Sequence, residues 1–333
     1  MIKNFFKKIY ITKEVSSLVN FIGSPWKGRG AILMYHRILP DERIKEDLNL
    51  GLAVSCSNFE NQIKMMKSEY KLYSMDEFLN NLKKDKNEFM LTITFDDGYK
   101  DNLIHALPIL EKYEVPALIY ITTRFLKQHV DLWWFELIET IQNKSALIFN
   151  YEKRNFNFIL KSQKQKFSTY LALRKIFMKL KIDRQIELLE IITGTKERKN
   201  YSKICLSSEE VKILDNHDLI TIGSHGHNHL NFKILNDEEI QNDVGKSLEV
   251  LENLLNHKIK HFCYPYGGKK EASFREYSII KKSNLDSAAT GRVHAIKHYS
   301  PFSLPRIYVG KNVCDKTLKN HLNGFYNLAN KFL

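Results

Sequence analysis

The sequence predicts an α/β fold, a parallel sheet with covering helices, on three observations. Short apolar runs at residues 31–35, 90–95, 117–122, 219–223 and 261–264 have the length and continuity of strands buried on both faces. Stretches of helical periodicity, several with start signals, separate them. Strand–helix alternation of this kind makes a parallel sheet, and chemistry in such folds gathers at the carboxyl ends of the strands.

The elements follow in order. The first run, AILMY, leads directly into His36-Arg37. A helix begins near Ser57-Asn58 (FENQIKMMKSEY), and another opens with the capping box Ser74-x-x-Glu77, whose side chains occupy otherwise free backbone N–H groups. The run 90–95 passes straight into Asp96-Asp97-Gly98. Beyond the third run, residues 130–204 break the rhythm: they begin DLWWFELIETI, become rich in Lys and Phe, and read as a mainly helical insertion or lid. A second capping box, Ser207-x-x-Glu210, precedes 219–223. Asp237–Leu255 carries acids in its first turn and apolar residues at helical spacing, so it is a helix.

At 333 residues, 43% hydrophobic and 27% charged, the chain can form one large α/β domain or two small ones. Cys56, Cys205, Cys263 and Cys314 lie far apart without a CxxC and read as reduced, mostly structural residues. The formal charge of +13 is unevenly placed: residues 1–30 hold six Lys/Arg against one acid, and residues 142–204 hold fifteen against five. We therefore separate a basic N-terminal arm (1–30) from a catalytic domain (31–333) carrying the 130–204 insertion. The basic segments suit an anionic membrane surface or a phosphate-bearing lipid or nucleotide carrier, and a solvated lysine-rich face fits equally. Nucleic acid ranks below these, because no zinc finger, RNP or helix-turn-helix signature accompanies the charge. No run of about 18 apolar residues occurs, and MIKNFFKKIYITKE is not followed by the uninterrupted apolar stretch of a signal peptide. The expectation is a cytoplasmic protein, with peripheral association at the inner membrane surface. Phe5, Phe6, Ile9 and Tyr10 beside Lys3, Lys7 and Lys8 could lie on that surface or pack on their own domain.

Adjacent side chains on an extended strand point to opposite faces, so two acids can face one pocket only where the strand ends. Close carboxylates repel and are costly to desolvate unless a cation or a proton relieves them. A second motif, TIGSHGHNHLNF, puts histidines at 225, 227 and 229. Imidazole is the common nitrogen ligand of Zn²⁺ and its neighbours. His225 and His229 share a face if the loop turns helically, and His227 then points elsewhere. One carboxylate with two histidines leaves coordination positions open for water and substrate. Alone, DDG reads equally as a cap or turn, and HxxxH arises by chance. Together, at the ends of predicted strands, they favour a metal site.

TFDDG (94–98), SHGHNH (224–229) and FCYPYGG (262–268) together resemble the polysaccharide deacetylase family with the NodB homology domain, carbohydrate esterase family 4. The resemblance covers about residues 31–125 and 205–310. It implies a distorted (β/α) barrel and a divalent metal, commonly Zn²⁺, used to remove acetyl groups from N-acetylated sugars. Position by position it implies Asp96 as catalytic base and Asp97, His225 and His229 as metal ligands. The backbone N–H of Tyr266 becomes the donor to the developing oxyanion. The family's late Leu-x-His proton donor is missing, and SLPRIYVG (303–310) stands there instead. MYHRI (34–38) resembles a circularly permuted branch of exopolysaccharide deacetylases in which an early Tyr-His supplies the acid. That gives His36 the role of acid; a histidine merely capping the first strand is the other reading. The arginine that steadies the base in the family's third motif is absent from FCYPY, and Arg306 is the candidate to replace it from another strand end. Asp286 only faintly echoes the fourth motif. His227 reads as lying behind the metal site or facing solvent, and His294 and His298 read as polar loop residues. Trp133 and Trp134 read as the packing face of an amphipathic helix rather than a sugar platform.

The resemblance thus implies a hydrolase acting on amide bonds: a metal-dependent deacetylase of an N-acetylated sugar, in a glycan or a lipid- or nucleotide-linked precursor. Cell-envelope polysaccharide biosynthesis is the expected context. The alternative is a catalytically silent carbohydrate-binding relative, which would have no need of the intact Asp96, Asp97, His225 and His229 set.

Overall fold

Seven parallel strands close on themselves. The computed structural model describes residues 28–44, 51–84 and 88–324; most of the expected basic arm, with its Phe and Lys residues, lies outside the described residues. The strands are β1 (Gly30–Tyr35), β2 (Met90–Phe95), β3 (Ala117–Ile121), β4 (Ile220–Ser224), β5 (His261–Cys263), β6 (Ser287–Val293) and β7 (Leu304–Tyr308). They neighbour one another in the order β1-β7-β6-β5-β4-β3-β2, and β2 pairs back with β1 from Gly30↔Met90 to Tyr35↔Phe95, which closes the barrel. Five strands fall on the expected runs. β6 and β7 do not announce themselves, because SAATGRV is built largely of small residues and LPRIY carries a proline and a buried arginine.

The helices among the described residues are α1 (Cys56–Glu69), α2 (Met75–Lys83), α3 (Leu107–Lys112), α4 (Trp133–Asn143), α5 (Gln163–Phe177), α6 (Ile182–Thr193), α7 (Ser208–Asp215), α8 (Asp237–Leu255), α9 (Phe274–Ile280) and α10 (Asp315–Leu322). Both expected capping boxes form, at α2 and α7, and Ser55 caps α1 two residues before the expected start.

Alternation along the strands sorts the core into two parts. Leu33, Tyr35, Leu91, Ile93, Phe95, Ile119 and Ile222 face outward and pack with Phe59, Leu110, Leu214, Leu251 and Leu318 of the surrounding helices. The alternate residues Ile32, Leu118, Tyr120, Cys263, Ala289 and Leu304 fill the barrel interior with Met75, Phe78, Leu79 and Leu82 of α2. The barrel is therefore a packed core rather than a pore, open to chemistry at one mouth.

Residues 130–204 contain α4, α5 and α6. They also contain an antiparallel hairpin, Ala146–Tyr151 with Arg154–Ile159, which the helical reading missed. Its inward Leu147, Phe149 and Tyr151 join Trp133, Leu137, Leu173, Phe177 and Leu188 in a core of its own, which reaches the barrel through Tyr99 and Phe125. No helix among the described residues is long and apolar enough to cross a membrane.

One buried group makes the fold acid-sensitive. Burial pushes the pKa of His321 on α10 down to about 3. The ring stays neutral in the fold and takes a proton on unfolding, so stability is complete above about pH 6.5 and is lost as pH falls from there toward the folded value. His321→Phe should flatten the pH dependence of unfolding between about pH 6.5 and 4.5, by up to about 1.4 kcal/mol per pH unit relative to wild type. Equal slopes in denaturant titrations of the two proteins would refute this.

Candidate active site

The adjacent acids reach one cleft by a backbone device. Asp96 continues the inward alternation of β2 through Thr92 and Thr94. Asp97 then adopts φ +75° and Gly98 φ +79°, a left-handed turn that swings the second carboxylate back to the same mouth. Glycine carries this conformation at little cost; for Asp97 it is strain of the kind that persists where the surroundings over-determine it.

Asp96 is buried against Arg306, which donates to both carboxylate oxygens (Nη1–Oδ1 2.6 Å, Nη2–Oδ2 2.7 Å). Such a fork is the strong, oriented form of a charged hydrogen bond. Burial pushes the Asp96 carboxyl up, but the guanidinium outweighs it and holds the group below the usual carboxylate range. Arg306 also donates to Thr290 O (2.9 Å) and Thr94 Oγ1 (3.1 Å), and its Nη2 lies 3.0 Å from Cys263 Sγ. Cys263 occupies the place in FCYPY where an arginine was expected, and the guanidinium from β7 fills the space beside it. His36 continues the inward alternation of β1, with Nε2 3.9 Å from Asp96 Oδ2. Burial lowers its pKa, with Asp97 and Asp96 pulling the other way. Asn102 donates to the His36 carbonyl (2.8 Å), and Asp101 accepts from Arg37 Nε (2.8 Å) and the Ile38 N–H (2.9 Å), so the chain after TFDDG grips the chain after MYH.

Asp97 Oδ1 lies 3.4 Å from His225 Nε2 and 3.2 Å from His229 Nε2. His225 Nδ1 donates to Cys263 O (2.8 Å), which leaves Nε2 as the free ligand atom. This set fits a divalent cation. Ligands at about 2.0–2.1 Å from a tetrahedral ion sit roughly 3.3 Å apart, Asp97 Oδ1 is buried without a hydrogen-bond partner, and the three ligand atoms lie within 4.8 Å of one another. The loop between the histidines does not turn helically. The loop is irregular, with Gly226 at φ +76° and His229 at φ +53°. A side chain at Gly226 would meet Asp243 Oδ1 at 2.8 Å. That carboxylate, on α8, accepts from the N–H groups of His227 (2.8 Å) and Asn228 (3.1 Å) and clamps the loop between the two histidines. His227 turns away and meets Thr123 Oγ1 (2.8 Å).

The cleft, of about 200 Å³, is lined by His36, Asp96, Asp97, His225, His229 and Arg306 below. Tyr264, Tyr266, Tyr308 and the insertion's Trp133, Trp134, Tyr170 and Arg174 form its walls. Tyr266 stands at φ +61°, its ring 4.8 Å from that of His229, and its backbone N–H has no acceptor among the described residues. Trp133 stacks on Phe177 (4.6 Å) and Trp134 approaches His229 (5.3 Å), so these indoles both pack and border the site. Asp286 is exposed at the start of β6, away from the cleft, and His294 and His298 do not line it. The sequence reading missed Asp243, Asp101, Tyr170 and Arg174; none has a local signal, since each acts through a fold contact with a distant segment.

A closed parallel barrel with an Asp–His–His cluster at its mouth agrees with the comparisons. The profile of the polysaccharide deacetylase family matches residues 83–281, and the chain belongs to that family. A putative polysaccharide deacetylase, YxkH of Bacillus subtilis (strain 168), is 31% identical over 117 residues, 34% of this chain and 39% of that protein, so the match spans well under half the relative's length. Among solved structures, the Streptococcus pyogenes deacetylase PplD, in complex with acetate, is 18% identical with a TM-score of 0.58, covering 88% of this chain and 97% of that one. IcaB from Ammonifex degensii is 17% identical with a TM-score of 0.57 (89% and 97% covered). A de-N-acetylase from Aggregatibacter actinomycetemcomitans is 14% identical with a TM-score of 0.58 (88% and 99%). At these identities the structures speak to the fold.

Two substitutions separate the roles of the surrounding groups. Arg306→Leu leaves Asp96 buried without its partner; it should cost about 3–5 kcal/mol of stability and cripple turnover, while metal content stays intact. Loss of metal, or full activity, would remove the role given to Arg306. Asp243→Ala touches no ligand, yet it should weaken metal retention by about 10–100-fold, read by competition with a chelator. Unchanged retention would mean that the loop holds its shape without the clamp.

Proposed function

We propose that the chain is a metal-dependent deacetylase that hydrolyses the N-acetyl group of an N-acetylated sugar in a glycan or a carrier-linked glycan precursor. The observation that carries this reading is the convergence of Asp97, His225 and His229 at ligand spacing, with Asp96 and His36 in the same cleft. A divalent cation held by those three residues, Zn²⁺ by the chemistry of the donors, would polarise the acetamide carbonyl and make water acidic. Arg306 keeps Asp96 ionised and aimed, so that it can accept the proton of the attacking water. The N–H of Tyr266 donates to the oxygen as charge builds there. His36 delivers a proton to the departing amine, balancing the one that Asp96 takes. Its position after β1, with the Asn102 and Asp101 contacts that hold it, favours catalysis over strand capping. It also supports assignment to the branch with an early Tyr-His. A silent binding relative would have no use for a base locked by a buried arginine.

The lysine-rich insertion supports a phosphate-bearing, lipid- or nucleotide-linked substrate and peripheral association with an anionic membrane. We place the protein on this reading in cell-envelope polysaccharide synthesis at the cytoplasmic face.

The test is metal analysis of wild type and His225→Ala, run beside amine release from a panel of N-acetylhexosamine carriers. Wild type should hold one divalent ion and the variant little. A metal-free wild type, or a variant equally loaded, defeats the site; a loaded protein that refuses every acetylated substrate defeats the function. His36→Gln should keep its metal and lose about 10²–10⁴-fold in kcat.

A further inference from the structure

Among the described residues, the cleft contains one cation without an anionic counterpart. Of the acids lining it, Asp96 is taken by Arg306, and Asp97 belongs to the histidine cluster. Arg174, projected from α5 of the insertion, lies over the Tyr266 ring, 5.4 Å from its centre. Its guanidinium makes no ion pair or hydrogen bond among the described residues. Three other sequestered arginines behave differently: Arg306 faces Asp96 (2.6 Å), Arg37 faces Asp101 (2.8 Å), and Arg198 faces Glu136 (3.4 Å). A guanidinium placed over an aromatic ring, with no carboxylate against it, has donors left to receive a carboxylate or a phosphate. The Tyr266 ring that supports it adjoins the His229 ring, so an anion on Arg174 and an acetamide at the Asp97 cluster would belong to the same or adjoining sugar units.

We propose that Arg174 sets specificity by receiving an anionic group on the substrate, so that the sugar deacetylated here carries a phosphate or a carboxylate beside its acetamido group. The inference rests on the deacetylase reading and narrows it to charged acetamido sugars. Either source supplies the same chemistry: the phosphate through which a sugar hangs on a carrier, or the ring carboxylate of an acetamido uronic acid.

Three soluble sugars test it on the metal-loaded protein: a neutral N-acetylhexosamine, its 1-phosphate, and the corresponding N-acetylhexosaminuronic acid. Each is offered to wild type, Arg174→Gln and Arg174→Lys, whose folding is checked by thermal melting. Wild type should favour at least one charged sugar over the neutral one in kcat/KM by tenfold or more. That ratio should fall at least tenfold in Arg174→Gln and by less in Arg174→Lys, which keeps the charge but not the planar fork. Preference for the 1-phosphate identifies a carrier-linked substrate, and preference for the uronic acid a carboxylate within the glycan. Trp133 and Trp134 border the cleft, so quenching of tryptophan fluorescence by the same sugars reports binding without turnover. Charged-sugar quenching that weakens tenfold in Arg174→Gln, with no acetate released from any sugar, upholds the anion site and defeats the deacetylase reading. Turnover indifferent to charge, or to Arg174→Gln, overturns the present inference and leaves that reading standing. Absence of Arg174-dependent binding of either charged sugar also overturns it.

Discussion

The site depends on the fork between Arg306 and Asp96. One guanidinium meets three strands from a fourth: it holds the Asp96 carboxylate at the end of β2, donates to Thr94 in that strand and to Thr290 O in β6, and lies against Cys263 of β5, while its own backbone belongs to β7. Charges this deep are costly to bring out of water, and the cost is offset only when both partners are fully hydrogen-bonded. The same contact therefore closes the polar end of the barrel and sets the ionisation of the group best placed to accept a proton. Removing either partner would expose its mate to an apolar interior, so the pair behaves as a unit across segments more than two hundred residues apart.

A second constraint works through the backbone. Asp97, His229 and Tyr266 all sit at positive φ, and all line the cleft. Among the described residues, the other non-glycine residues in this conformation, Glu114, Glu152, Lys153 and Asn256, lie at turns or helix ends, where the geometry is routine. Strain concentrated at one mouth needs outside restraint, and specific contacts supply it. Asp243 fixes the histidine loop from α8, and the Cys263 carbonyl orients His225. Rotating a ligand by its backbone lets residues adjacent in sequence, or four apart in an irregular loop, point at one position that regular periodicity would not reach.

The legible parts of the chain were those whose information is local. Continuous apolar runs mark the five most regular strands, and capping boxes mark α2 and α7. The DDG and SHGHNH motifs are legible only in combination, because two acids at one strand end and a histidine-dense loop at another together suit a shared cation better than either suits a cap or a chance repeat. What stayed hidden depends on distance in sequence. β6 and β7 look weak because the barrel interior accepts small residues and a charged arginine at positions that only pairing reveals. The Asp101 and Asp243 clamps act through backbone N–H groups of remote segments, which leave no trace in local pattern. The insertion hairpin alternates with period two across Leu147, Phe149 and Tyr151, but a background rich in Lys and Phe masks that alternation.

The insertion is more than an appendage, because its core and the cleft share residues. Tyr99, one position past Gly98, packs in the insertion core, and Trp134 approaches both Phe125 of that core and His229 at the proposed metal position. A displacement of α4 would therefore change the wall around His229 before it changed the barrel, whose interior is packed independently with α2. This division lets the two halves of the site answer to different demands. Barrel strands and the turns that follow them fix Asp96 and Arg306 against interior groups on several strands. Helices α4 and α5 supply aromatic rings and the Arg174 guanidinium to the cleft wall, groups whose exchange leaves the strand ends untouched. The cleft wall can thus vary through residues 130–204 while Asp96, Asp97, His225, His229 and Arg306 remain where the barrel puts them.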